Sequence, residues 1–186
     1  MACKALAAQG VATLATTLFC MPQAALAAES GCVYIAPYIN GLRVHFEAGY
    51  VDDHKGFTLA SAAGRYFRRV GWETVVLPAS LTRVHEVLAC GGAEHVTVSP
   101  ALLGEMAATT ANGDGDGVDW GKGFVDEDEV ERLAGMDWGS VVRDEAAYRL
   151  AVTMDADGAS EKKLVDAVVI FCRMQRGLEE LVEGYL

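Results

Sequence analysis

Residues 72–100, WETVVLPASLTRVHEVLACGGAEHVTVSP, carry a pattern that few folds accommodate. Thr74-Val75-Val76-Leu77 is too short for a helix and β-branched enough for a buried strand, which stops at Pro78-Ala79-Ser80. Val84, Val87 and Leu88 then recur on one helical face, and Gly91-Gly92 closes the helix. Val96-Thr97-Val98 reads as a second short strand ending at Ser99-Pro100. Strand, helix and strand in so few residues make a βαβ unit, whose two strands are parallel and buried.

The same unit recurs upstream. Strands are expected over 11–18, 32–36, 73–79 and 95–98, each followed by a helix. Helices are expected over 1–8, 21–29 and 55–70, the last with Phe57, Ala60, Gly64 and Phe67 inward and Arg65, Arg68 and Arg69 outward. Such alternation fits either a doubly wound sheet or a piece of a (β/α)8 barrel. Between strand and helix, residues 40–53 form a polar loop carrying Arg43, His45 and Asp52. His45, His54, His85 and His95 have no ligand spacing and suggest no special role.

The first 28 residues imitate a secretion signal, with Lys4, an apolar stretch and an A-x-A site near Ala28. Gln9, Gly10 and interspersed threonines break that stretch into helix, strand and helix, so a folded segment is expected instead. No run approaches the ~20 apolar residues that span a membrane. A net charge of −11 argues against a nucleic-acid surface. Five cysteines without a CxxC pair suit the reduced thiols of a cytoplasmic protein, not a disulfide framework or a zinc site.

After Thr110 the texture changes. Residues 112–123 are Gly/Asp-rich, and 126–131 are acidic. Asn112, Asp114, Asp116 and Gly117 imitate a calcium loop, yet Gly123 stands where the bidentate glutamate belongs, so a solvated insertion is expected and no metal. Helices resume over 144–148 and 159–183, the last with Leu164, Ala167, Val168, Phe171, Cys172, Leu178 and Leu181 at helical spacing, as for a helix packed on the preceding layer. The expected organisation is 1–110, 111–143 as an acidic insertion, and 144–186 as C-terminal helices.

Four segments together resemble one family. Thr16-Thr17-Leu18-Phe19 with Gln23-Ala24 looks like the T-L-L-F-S-x-x-Q-A segment of transaldolases. Ala36-Pro37-Tyr38-Ile39-Asn40 resembles their S/A-P-[FY]-V-[GN], shared with fructose 6-phosphate aldolases. Ala79-Ser80-Leu81 is similar to A-S-F, and Thr97-Val98-Ser99-Pro100-Ala101-Leu102-Leu103 to T-I-S-P-x-L-L.

The resemblance implies a partial (β/α)8 TIM barrel of four C-terminal βα units followed by helices. It implies class I aldolase chemistry in the pentose phosphate pathway, where a lysine forms a Schiff base with a ketose phosphate and no cofactor takes part. Such a lysine sits desolvated at a strand end. Lys4, Lys55, Lys122, Lys162 and Lys163 end no apolar strand, and solvated positions are expected for all five. On this reading the chain matches the C-terminal half of the family and is inactive alone.

Of the site, Thr16 aligns with the threonine that helps hold the proton-transfer water, the alternative being a plain strand residue. Ser80 and its neighbouring N–H groups are candidates to hold a phosphate. Arg43 and Arg83 are candidate phosphate clamps, the alternative being surface charge. Gly41 and Thr82 occupy the family's two phosphate-arginine positions, Ala36 replaces a serine, and Leu14 stands where an asparagine would be. The implied partners are a sugar phosphate and either a second copy or a complementing half-barrel, since four open strands leave two free edges. A non-catalytic half-barrel that binds such a ligand or partner is the alternative function.

Overall fold

The computed structural model describes residues 2–108 and 124–185. The calcium-like loop and Lys122 lie outside the described residues.

A short helix α1 (Ala2–Ala7) leads into β1 (Leu14–Leu18), α2 (Met21–Glu29) and β2 (Tyr34–Pro37). A 3₁₀ turn (Leu42–His45), α3 (Phe57–Val70), β3 (Val75–Val76), α4 (Val84–Ala89) and α5 (Pro100–Ala108) follow. Beyond the undescribed stretch come α6 (Glu127–Gly135), α7 (Trp138–Arg143), α8 (Glu145–Met154), a 3₁₀ turn (Asp155–Gly158) and α9 (Ala159–Glu183).

Three strands in the order β1-β2-β3 form a parallel sheet, with Leu14 opposite Tyr34, Thr16 opposite Ala36 and Ile35 opposite Val76. The expected fourth strand is absent. Residues 95–98 run alongside β3 through a backbone bond from Thr97 N–H to the Pro78 carbonyl (2.9 Å). The preceding helix ends at Ala89 on a turn through Cys90 to Gly91, which leaves the chain too few ladder bonds to count as a strand.

One sheet face is covered. Ile35 is fully buried, and Ala15 and Val76 join it against Ala24 and Ala25 of α2, Ala62, Ala63, Tyr66 and Phe67 of α3, and Val130, Ala134 and Trp138 of α6 and α7. Small residues on α2 and α3 bring those helices close to the sheet. The Tyr66 hydroxyl accepts a hydrogen bond from Gly139 N–H (3.0 Å), fixing the start of α7 on α3. Arg65, directed outward as expected, pairs with Glu127 and Glu131 of α6. Two helices of the stretch expected to be a solvated insertion thus contribute core residues.

The opposite face is open along β1, although Ala36 of β2 is buried. Thr16 is exposed, Leu14 is 45% exposed, and among the described residues no strand pairs with the outer edge of β1. The C-terminal helix departs from expectation as well. Ala167 is buried, and Leu164 and Ile170 pack beside it on Phe19, Tyr38 and Leu42. Every residue from Phe171 to Glu183 is exposed, including Phe171, Met174, Leu178 and Leu181. The amphipathic stripe therefore continues past the body that it packs on. No helix among the described residues is long and apolar enough to cross a membrane.

Ile35→Ala should cost about 2–5 kcal/mol of unfolding free energy, the range for emptying a closely packed core position. Leu178→Ala should stay within about 0.5 kcal/mol. Chemical denaturation of both variants checks this, and an equal loss for Leu178 would mean that the stripe packs against something.

Candidate functional site

The C-terminal ends of parallel strands collect loops, and a ligand approaching there meets backbone groups that the ladder leaves free. Two non-glycine residues at that end have left-handed backbone. Thr17, φ 63°, sits at an irregularity in the β1–β2 register, and Ser80, φ 61°, lies just beyond β3. A β-branched residue is rarely found in that region, and such positions cost of order 1–3 kcal/mol unless the surroundings impose them.

At Ser80 the surroundings are visible. Asn40 follows β2, and its Nδ2 donates to the Ser80 carbonyl (2.8 Å) while its own N–H reaches the same oxygen (3.3 Å). Asn40 Nδ2 also donates to Glu86 Oε2 (3.0 Å). Glu86 is completely buried near the start of α4, where Oε2 also accepts from Thr82 N–H (2.8 Å) and the Thr82 hydroxyl (3.1 Å). Its other oxygen accepts from Lys55 Nζ. Burial alone would raise the Glu86 pKa, but Lys55, the Thr82 N–H and Asn40 outweigh it and hold the carboxyl below its usual 4.5.

One carboxylate thus ties together the segments after β2 and β3, the loop before α3 and the start of α4. The helical spacing of Val84, Val87 and Leu88 pointed to an apolar inner face. The structure packs Val84 and Val87 inward, leaves Leu88 41% exposed and buries Glu86. Glu86 stands three residues after the N-cap Arg83, a position from which a glutamate side chain can reach back to N–H groups ahead of its helix.

The predicted residues separate. Ser80 Oγ lies 2.9 Å from His45 Nε2, a contact the sequence did not suggest. Partial burial pushes the His45 imidazole below its usual 6.5, and the field of Glu86 acts in the opposite direction. Arg43 turns away. It donates to Glu47 through Nε (2.9 Å) and Nη2 (2.7 Å), stacks over the Tyr50 ring at 4.2 Å and lies 3.8 Å from Asp166 of α9. Arg83 precedes α4 and lines a cleft of about 280 Å³ with Asn40, Asp52, Lys55 and Thr82. Thr16 stands on the open sheet face two strands from Ser80, a lateral separation of about 10 Å.

The expectation of five solvated lysines is corrected. Lys55 pairs with buried Glu86, and Lys163 of α9 pairs with buried Asp52 (2.9 Å) while donating to the His54 carbonyl. Asp52 also accepts from Gly41 N–H (2.6 Å), so a cation on α9 fixes the loop after β2. Both amines are engaged by carboxylates, and neither lies at the end of an apolar strand, where an amine nucleophile would sit. Lys4 and Lys162 are exposed. Cys20 and Cys90 are buried thiols that burial pushes up to about 12 and about 11, which makes them unreactive. Among the described residues no cluster of three His, Cys, Asp or Glu side chains is arranged to hold a metal.

Comparison with known proteins gives one family. The model for transaldolase/fructose-6-phosphate aldolase matches residues 1–182. A transaldolase of Shewanella amazonensis is 31% identical over 113 residues, covering 58% of this chain and 36% of the relative. A transaldolase of Methylibium petroleiphilum is 27% identical over 193 aligned positions, covering 98% of this chain and 57% of the relative. A transaldolase of Buchnera aphidicola is 28% identical over 111 residues, covering 56% and 35%. The chain spans between about a third and a little over half the length of these relatives.

Because Glu86 has a depressed folded pKa, its stabilisation is present above the unfolded carboxylate pKa and is lost as pH falls through the folded value. Thermal stability should therefore drop on acidification below about 4.5. Glu86→Gln should cost about 1.5–3 kcal/mol at neutral pH and flatten that acid-side drop, as read by denaturant titration across pH. An unchanged acid slope in the variant would show that another group controls it.

Proposed function

The chain belongs to the transaldolase/fructose-6-phosphate aldolase family, and on that premise we propose that it is a transaldolase-like protein of carbohydrate metabolism that binds a sugar phosphate at the C-terminal end of its parallel sheet. Its three strands and their helices are then part of a (β/α)8 barrel, and Ser80 is the hydroxyl that meets the phosphate. The observation that carries this reading is Ser80 itself, held at φ 61° by two Asn40 hydrogen bonds at a strand end. Such a strained, over-determined position is where a fold holds a side chain for a ligand.

Among the described lysines none is placed to form a Schiff base. In the family at large, a dihydroxyacetone unit passes between sugar phosphates on an unprotonated lysine. Here Lys55 and Lys163 are ion-paired with Glu86 and Asp52, and Lys4 and Lys162 are exposed. Arg43 is engaged by Glu47 and Asp166, so it does not serve as the phosphate clamp. Thr16, on the open sheet face, keeps its implied role of holding a water only in a completed barrel.

A second reading, a non-catalytic half-barrel that binds a partner chain, is favoured by the free edge of β1, the open face with Leu14, and the exposed stripe of α9. The two readings share the sugar-phosphate site and differ in what completes it. A second copy or a complementing half-barrel would cover those surfaces.

Borohydride treatment of the purified chain with fructose 6-phosphate, followed by intact mass, tests the chemistry. No adduct is expected. An adduct mapped to one lysine would overturn this account of the lysines. The native mass of the same sample should be that of a dimer, and a folded monomer would remove the self-pairing reading.

A further inference from the structure

The strand-end serine faces an imidazole where the family resemblance implies a guanidinium. Arg43 is turned onto Glu47, Tyr50 and Asp166. Gly41 and Thr82, at the two arginine positions, carry no charge. What lies beside Ser80 Oγ, at 2.9 Å, is His45 Nε2. Resting on the sugar-phosphate reading above, we infer that His45 and Ser80 form a proton-gated anion site, in which protonated His45 supplies the charge and Ser80 the hydroxyl donor for a dianionic phosphate ester.

The hydrogen-bonding inventory of the pair gives the gate its mechanism. A neutral imidazole can accept at Nε2, and the Ser80 hydroxyl then spends its only proton on His45. A protonated imidazole can only donate there, so Ser80 Oγ becomes the acceptor and its own O–H is free to turn toward an anion. One proton therefore adds a positive charge and releases a donor at the same place. The Ser80 backbone cannot swing away meanwhile, because Asn40 holds its carbonyl by two bonds.

The charges around the pair leave this proton in control. On the histidine's own turn, Arg43 and Glu47 neutralise each other. On α4, the field of Glu86 reaches His45 and favours its protonation, while Lys55 balances that carboxylate. Asp52 is matched by Lys163. Arg83, ahead of α4, lines the neighbouring cleft with Lys55 and adds positive potential. Partial burial keeps the free imidazole mostly neutral at pH 7, so the site charges when an anion arrives or the medium acidifies.

Calorimetric titration with sulfate, which stays a dianion throughout, and with fructose 6-phosphate, between about pH 5.5 and 8.5, tests this. Affinity of the unmodified protein for sulfate should fall by up to about tenfold per pH unit above the His45 pKa, as one linked proton requires. His45→Gln should bind sulfate at least about tenfold more weakly at the acid end and show a flat profile, whereas His45→Arg should bind at both ends. Fructose 6-phosphate binding that is equal in His45→Gln, or sulfate binding that ignores pH, overturns the gate and leaves the sugar-phosphate reading standing. Fructose 6-phosphate that fails to bind at any pH overturns that reading, and the gate with it.

Discussion

The buried Glu86 carboxylate is the interaction on which the strand-end region depends. A charge taken out of water is tolerated only when its lone pairs are satisfied, and here four donors from Asn40, Thr82 and Lys55 converge on it. The three donor residues belong to different loops, so the carboxylate sets their relative positions as a hub. Asn40 is the shared member. By bonding both Glu86 and the Ser80 carbonyl it passes that order to the strained serine. A second buried carboxylate, Asp52, does the same for the loop after β2, with Lys163 reaching in from α9. The two pairs explain why lysines on a loop and a late helix are held away from water.

Against this ordered end, the rest of the sheet is unfinished. One face carries the core, the other exposes Leu14 and Thr16, and among the described residues no strand pairs with the outer edge of β1. Free edges and apolar stripes invite pairing. The proposed strand-end site lies on the β2–β3 side, where Asn40, His45 and Ser80 come from the segments after those strands and Glu86 from the start of α4. On the proposed function, ligand recognition and catalytic completion are separable: the first would rest on Asn40, His45 and Ser80, the second on whatever covers β1.

Much of the fold was legible because periodicity reports burial. The strands expected over 11–18 and 32–36 form at 14–18 and 34–37, and the apolar stripe of α3 follows directly from its period of 3.6. What periodicity misses is polar burial and tertiary veto. Val96-Thr97-Val98 has strand composition, yet only Thr97 bonds to the neighbouring segment. Glu86, charged and therefore expected outside, is the most buried residue of α4. The late part of α9 has the right stripe and no body beneath it. Ser80 was readable as a strand-end hydroxyl. Its partner His45 was not, because the pair is 35 residues apart and meets only through the geometry of the β2 loop. The sequence position of Arg43, likewise, did not disclose that Glu47 one helical turn later would claim it.

On the proposed function the β2–β3 strand end, and not the Arg43–α9 groove, receives the phosphate. Amide and side-chain chemical-shift mapping by NMR, on addition of fructose 6-phosphate, tests it directly. The account predicts saturable shifts confined to Asn40, His45, Ser80 and the residues that adjoin them. Shifts centred on Arg43, Asp166 and Arg173, which line the groove along α9, would contradict it.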